Sequence, residues 1–184
     1  MDLQRLLDYG KYQMPYPDLE LLYSTADKIK AKAIMEIGSH RGCSSIALGT
    51  VAKKYGGKMH CIECRKVPEW HVNIAHYGLT DTVRLINKSS PWVDSHEVNY
   101  PLDYFFIDGC HSYLAALVDF YWGYRYVRQG GLIAFHDYHS PHNEVMPAID
   151  QILKSGVKIQ ELARSVSGKG LIVFKKKGEY AVKA

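Results

Sequence analysis

Short apolar runs alternate along the chain with longer stretches in which apolar residues recur at helical spacing. That alternation predicts βαβ units and a mostly parallel sheet. Pro17-Asp18 opens a segment to Lys32 that sets Leu19, Leu22, Tyr23, Ala26 and Ile29 on one face, as an amphipathic helix requires. A first strand follows at Ala33–Ile37. The turn Gly38-Ser39-His40-Arg41-Gly42 then leads into a helix from Cys43 to Tyr55, which stops at Gly56-Gly57. Strand two is Lys58–Ile62, followed by a helix from Pro68 to Tyr77 and strand three at Val83–Ile86. Ser90-Pro91-Trp92 begins a short helix. Leu102–Ile107 reads as strand four, Ser112 to Arg128 as the next helix, and Gly130-Gly131 as the turn into strand five, Leu132–Phe135. A helix from Glu144 to Leu153 precedes two last strands, Lys158–Leu162 and Leu171–Lys175, whose short link through Ser165 to Gly170, Ser167 included, pairs them antiparallel. The expected architecture is α/β: seven strands, mostly parallel with an antiparallel last strand, and helices on both faces.

At 184 residues, 47% of them apolar, the chain suits one domain, residues 1–184, better than two. Residues 1–16 form either a lid over a pocket or a free end. The net charge is +4 and the basic residues cluster only at Lys175, Lys176 and Lys177, so no nucleic-acid partner is expected. No apolar run approaches the ~20 residues of a membrane helix, and the first residues lack a basic region followed by an apolar one. The expectation is therefore a cytoplasmic protein with no membrane partner. Cys61 and Cys64 have CxxC spacing, but Cys61 falls within a strand and no second pair completes a metal set, so free thiols are expected.

In an open α/β sheet, ligands bind at the carboxyl ends of the strands. Strand one ends in Gly38 and Gly42, which let backbone approach a ligand, ahead of a helix N-terminus that offers unpaired N–H groups. Strand two ends in Glu63, where a carboxylate accepts ribose hydroxyls. The spacing Gly38-x-x-x-Gly42 lacks the GxGxxG of a nicotinamide site and counts against a dehydrogenase. Strands four and five end in Phe106-Ile107-Asp108-Gly109-Cys110-His111-Ser112-Tyr113 and Ile133-Ala134-Phe135-His136-Asp137-Tyr138, with a carboxylate each at the same sheet edge.

Glu36-Ile37-Gly38-Ser39 with Gly42-x-Ser44 resembles motif I of class I S-adenosylmethionine (SAM)-dependent methyltransferases, a Rossmann-like fold. The DGxHSY and AFHDY segments resemble the metal-dependent branch that includes macrolide-sugar O-methyltransferases and cephalosporin hydroxylase-like proteins, and the likeness extends from about residue 33 to 154. The resemblance implies that Glu36, Gly38, Ser39, Gly42, Ser44 and Asp108 surround the methionine end of SAM, that Glu63 holds the ribose, and that Ser89 or Ser90 lies by the adenine. An acid often stands at that adenine-side position in the superfamily; here it is replaced by Ser89-Ser90-Pro91-Trp92. The resemblance further implies that Asp108 and Asp137 bind a divalent cation, magnesium, manganese or another, with His136 either a third ligand or a hydrogen-bonding partner of the cofactor or loop. His139 and His142 extend the histidine cluster. Relatives carry a lysine or histidine at the position of His111, which makes it the candidate general base, with an ordinary pKa of about 6.5. Its other role would be to cap the next helix. Trp92, Tyr113 and Tyr138 are candidates to stack on a ring substrate.

The expected activity is metal-assisted O-methylation of a hydroxyl on a small molecule such as a sugar or natural product. Two alternatives stay open: a non-catalytic SAM-binding module, and a metallohydrolase or oxygenase built on Asp108, His111, His136 and Asp137. A homodimer is the expected assembly, because small domains of this architecture often bury a sheet edge or helix face.

Overall fold

A computed structural model describes residues 1–10, 14–98, 101–166 and 168–178. The short apolar runs form β1 (Ala33–Ile37), β2 (Lys58–Ile62), β3 (Val83–Ile86), β4 (Leu102–Ile107), β5 (Val127–His136), β6 (Ile159–Ser165) and β7 (Leu171–Lys176). They make one sheet in the order β3-β2-β1-β4-β5-β7-β6. The first five strands are parallel, and β7 runs antiparallel to both β5 and β6. This is the mixed sheet that the sequence predicts.

The helices are α1 (Leu3–Gly10), α2 (Tyr16–Lys28), α3 (Cys43–Lys54), α4 (Pro68–His76), α5 (Tyr113–Tyr124) and α6 (Val145–Lys154), with 3₁₀ turns at Ser90–Trp92 and Ser95–Glu97. Successive strand side chains point to opposite faces, and each face is covered by helices. Ile34, Tyr104, Phe106, Leu132 and Ala134 pack with residues of α1 to α4. Met35, Phe105, Ile107, Ile133 and Phe135 pack with α5 and α6.

The elements depart from expectation after β4. The helix expected to run to Arg128 ends at Tyr124, and β5 starts at Val127, five positions before the expected Leu132. Val127 pairs with Leu102, and the register then shifts, so that Leu132 pairs with Tyr104; Gly130-Gly131 lies within an irregular strand rather than in a turn before one. Residues 3–10 fold as α1, with Leu6 fully buried in one core with Leu19 and Leu22, and Met14 lines the cavity described below. Residues 11–13 of the expected lid, and Ser167 of the expected link, lie outside the described residues. Lys176, counted above within a basic cluster, is fully buried; its ammonium donates to the carbonyls of Tyr124 and Val127 at 3.1 and 2.8 Å and lies 4.3 Å from the Tyr124 ring centre.

Candidate active site

A cavity of about 920 Å³ opens at the carboxyl ends of β1, β2, β4 and β5. Such a volume matches a small-molecule site. Gly38 closes one wall. Its φ of +87° is a left-handed conformation, and a Cβ there would lie 1.9 Å from the carbonyl oxygen of Asp108, so the loop after β1 crosses the end of β4 only without a side chain. Gly38 N–H donates to the Ile62 carbonyl at 2.9 Å and Asp108 N–H to that of Ile37 at 2.8 Å, which continues the sheet up to the cavity.

Glu63 is 4% exposed and faces the cavity. Its Oε2 accepts from the backbone N–H of His40 at 3.0 Å, and its Oε1 from that of Arg65 at 2.9 Å. These two bonds fix the carboxylate against the glycine loop and leave acceptor capacity for a pair of hydroxyls. Ser39, 2% exposed and on the cavity wall, has a buried hydroxyl without a partner. Ser44, Ser89, Ser90 and Asp108 also line the cavity.

Glu36 and Gly42 do not line it. Glu36 is fully buried behind the loop, where the hydroxyls of Ser44 and Ser45 donate to its two oxygens. Burial dominates and raises its pKa to about 7. Its place is thus to tie the first turn of α3 to β1 rather than to touch a ligand. Gly42 precedes α3 and packs toward Trp70. Among the aromatic candidates, Trp92 is 77% exposed and Tyr138 buried, and neither they nor Tyr113 line the cavity. His139 and His142 are exposed and also lie off its wall.

At the opposite end stand the charged groups. Asp137 adopts φ +59°, a left-handed conformation that Asp tolerates better than most residues, and its carbonyl accepts from the Asn143 side chain at 2.8 Å. Asp108, His111 and Asp137 each offer a ligand atom, all within 4.8 Å of one another. His111 Nε2 lies 3.6 Å from Asp108 Oδ1 and 3.4 Å from Asp137 Oδ2, yet makes no aligned hydrogen bond to either. A buried, unpartnered imidazole nitrogen facing two carboxylates fits a divalent cation of the manganese, iron or zinc kind. The Asp108 carboxylate beside it raises the His111 pKa against the effect of burial, with Asp137 adding to it.

Of the two roles expected of His136, hydrogen bonding is the one its surroundings fit. It is 3% exposed, with Nε2 3.2 Å from Asp18 Oδ2, and with Nδ1 3.3 Å from Asp108 Oδ1 and 3.0 Å from Asp137 Oδ2. Burial alone would lower its pKa, but the charge of Asp108 and hydrogen bonds to Asp108, Asp137 and Asp18 raise it to about 11. With both ring nitrogens engaged, His136 has no lone pair to give a metal or the cofactor. The third side chain grouped with Asp108 and Asp137 is His111 instead. Burial would raise the Asp108 pKa, yet the charge and hydrogen bond of His136, with the His111 ring close by, hold it below the ordinary value.

Asp18, fully buried in α2, is the residue the sequence reading missed. It read there as part of a helix start. Its Oδ1 also accepts from the Ser165 hydroxyl at 2.5 Å, so α2, β5 and β6 meet at this carboxylate. Nothing local in sequence marks Asp18, since His136 lies 118 positions away. The Lys169 ammonium stands at the cavity mouth, 3.7 Å from Asp137 Oδ1.

Comparison with known proteins places these features. A methyltransferase domain family matches residues 35–138, from within β1 to just past the end of β5, a span that holds Gly38, Glu63, Asp108, His111, His136 and Asp137. An O-methyltransferase from Streptomyces achromogenes involved in tomaymycin synthesis, solved with SAM, superposes with a TM-score of 0.74 over 96% of this chain and 88% of that one, at 18% identity. An O-methyltransferase from Bacillus cereus, solved with S-adenosylhomocysteine, gives 0.77 over 95% and 90%, also at 18% identity. These likenesses establish the fold. An uncharacterized protein of Acanthamoeba polyphaga mimivirus is 45% identical over 56 residues, which span 28% of this chain and only 24% of that protein. Among the described residues, no helix is long and apolar enough to cross a membrane.

Proposed function

The chain belongs to the methyltransferase domain family, and from that premise we propose that it transfers the methyl group of SAM to a hydroxyl of a small molecule, assisted by a divalent cation. One observation carries the reading: the Gly38 loop with Glu63 and the cluster of Asp108, His111 and Asp137 open on the same cavity. SAM and S-adenosylhomocysteine are bound by proteins of the same fold.

Glu63 receives the ribose hydroxyls, and the loop from Gly38 to Arg41 packs along the methionine end. Asp108 and Asp137 would hold the cation, whose chemistry is to lower the pKa of an acceptor hydroxyl. His111, half-buried on the cavity wall, takes the hydroxyl proton at Nε2. The acceptor oxygen then bonds to the methyl carbon while the carbon–sulfur bond breaks, its electron pair staying on sulfur as S-adenosylhomocysteine forms. Cavity walls align these atoms and exclude water. His136, gripped by Asp18, keeps Asp108 and Asp137 oriented.

A second reading of His111 has support in the same geometry: as the third ligand of the cation. Manganese titration of His111→Ala separates the two. A base leaves manganese affinity within about threefold and costs about 10²–10⁴-fold in turnover, whereas a ligand loses both.

The test is transfer of labelled methyl from SAM to a panel of hydroxylated acceptors, with manganese or magnesium and after chelation. Cation-dependent turnover that Asp108→Asn removes, with S-adenosylhomocysteine affinity kept, is expected. Equal turnover in Asp108→Asn would sink the cation-centred part. Cofactor binding without transfer to any acceptor would favour a non-catalytic module instead.

A further inference from the structure

Asp119 stands on α5. It is 5% exposed and lines the cavity. Its Oδ1 accepts the hydrogen of the Ser90 hydroxyl, and Ser90 is itself 7% exposed and on the same wall. Its Oδ2 lies 3.0 Å from where a Cβ on Gly109 would stand, so a side chain at 109 would cover it and glycine leaves it open. Among the described residues Ser90 is the one hydrogen-bond donor to this carboxylate. Burial raises the Asp119 pKa. A largely buried carboxylate with one oxygen facing the cavity is placed to accept a hydrogen from a group bound there.

The sheet order says what that something is. Ser90 follows β3, Glu63 ends β2, the Gly38 loop follows β1, Asp108 follows β4 and Asp137 ends the β5 edge, and these strands are neighbours in that order. A nucleoside whose ribose sits at Glu63, and whose reacting end points toward Asp108 and Asp137, must carry its base to the β3 side. There it meets the Ser90–Asp119 pair. We infer that Asp119 is the residue that reads the nucleobase, with its Oδ2 accepting a hydrogen from the 6-amino group of adenine. The acid comes from helix α5, not from the strand-three loop where Ser89-Ser90 stand. This inference rests on the cofactor reading above. Hypoxanthine, which presents an oxygen at the same position, would set two acceptors against each other, and a site built around a donor rejects such an analogue strongly.

Calorimetric titration with S-adenosylhomocysteine and with S-inosylhomocysteine tests it. The expected result is that the wild-type chain prefers the adenosyl compound by tenfold or more. Asp119→Ala should lose tenfold or more for that compound and change little toward the inosyl one, so the preference collapses. Asp119→Asn, which keeps an acceptor oxygen, should retain the preference and shows that the folded site tolerates substitution. An equal loss for both ligands in Asp119→Ala, which a purely structural role would give, overturns the inference, as does an undiminished preference. Binding of neither compound by the wild-type chain would overturn the cofactor reading and this inference together, whereas failure in the variants alone leaves the cofactor reading standing.

Discussion

The two ends of the cavity are built by different physics. At the Glu63 end, backbone N–H groups of His40 and Arg65 position a carboxylate, and a glycine clears the path of the chain. Short-range hydrogen bonds do the positioning there. At the Asp137 end, three carboxylates from residues 18, 108 and 137 surround one imidazole, and these partners come from α2 and from the residues that directly follow β4 and β5. Charge across a buried gap does the positioning at this end, and each member depends on the others. Neighbouring backbone bonds tolerate the loss of one side chain better than a buried charge network does.

That contrast sets an order of damage. Asp18→Ala removes the anion facing His136 at a fully buried position, and should cost about 3–5 kcal/mol of stability, the usual cost of orphaning a buried charge. Denaturant unfolding measures it, and a cost under 1 kcal/mol would mean that the network is not held by charge. Gly38→Ala follows at about 3 kcal/mol, through the 1.9 Å collision with the Asp108 carbonyl and the positive φ. Because that collision sits between the two ends, S-adenosylhomocysteine affinity should fall with stability.

Glu36 gives the next effect, and its sign is fixed by its raised pKa. The unfolded carboxyl ionises near 4.5 and the folded one near 7. Between those values the unfolded chain releases the proton first, so the native state loses stability as pH rises. The contribution is fully present below 4.5 and gone above about 7, and amounts to on the order of 3–4 kcal/mol at about 1.4 kcal/mol per pH unit. Stability of Glu36→Gln should be flatter than wild type between pH 4.5 and 7; parallel profiles would contradict the assignment. The smallest effect belongs to Lys169→Ala. Its ammonium is 46% exposed and 3.7 Å from Asp137, so less than about 1 kcal/mol is expected. A larger loss would extend the charge network to the cavity mouth.

The same contrast explains what the sequence disclosed. Strands β1 to β4 have the boundaries read from their apolar runs, because tight turns and glycines bracket them. Asp108, His111 and Asp137 stand in two recognisable segments, and the sheet edge that brings them together follows from parallel βαβ topology. Asp18 and Asp119 were not legible. Each lies on a helix whose polar residue faces inward through a partner far along the chain, His136 in one case and Ser90 in the other. An inward polar residue on an amphipathic helix looks no different from an outward one until its partner is placed. For the same reason the sequence leaves His136 as either a cation ligand or a hydrogen-bonding partner, since Asp18, which engages its second nitrogen, stands 118 positions away. The register slip that starts β5 at Val127 was hidden by Gly130-Gly131, a pair that reads as a turn but is held in the strand by pairing on either side.

The central claim, a nucleoside cofactor seated between the Gly38 loop and Glu63, is tested most directly by calorimetric titration of the wild-type chain and of Glu63→Ala with S-adenosylhomocysteine. The account predicts micromolar binding to the wild type and its loss in the variant, with melting of the two free proteins still cooperative. Absence of binding to the wild type, or unchanged affinity in Glu63→Ala, would contradict it.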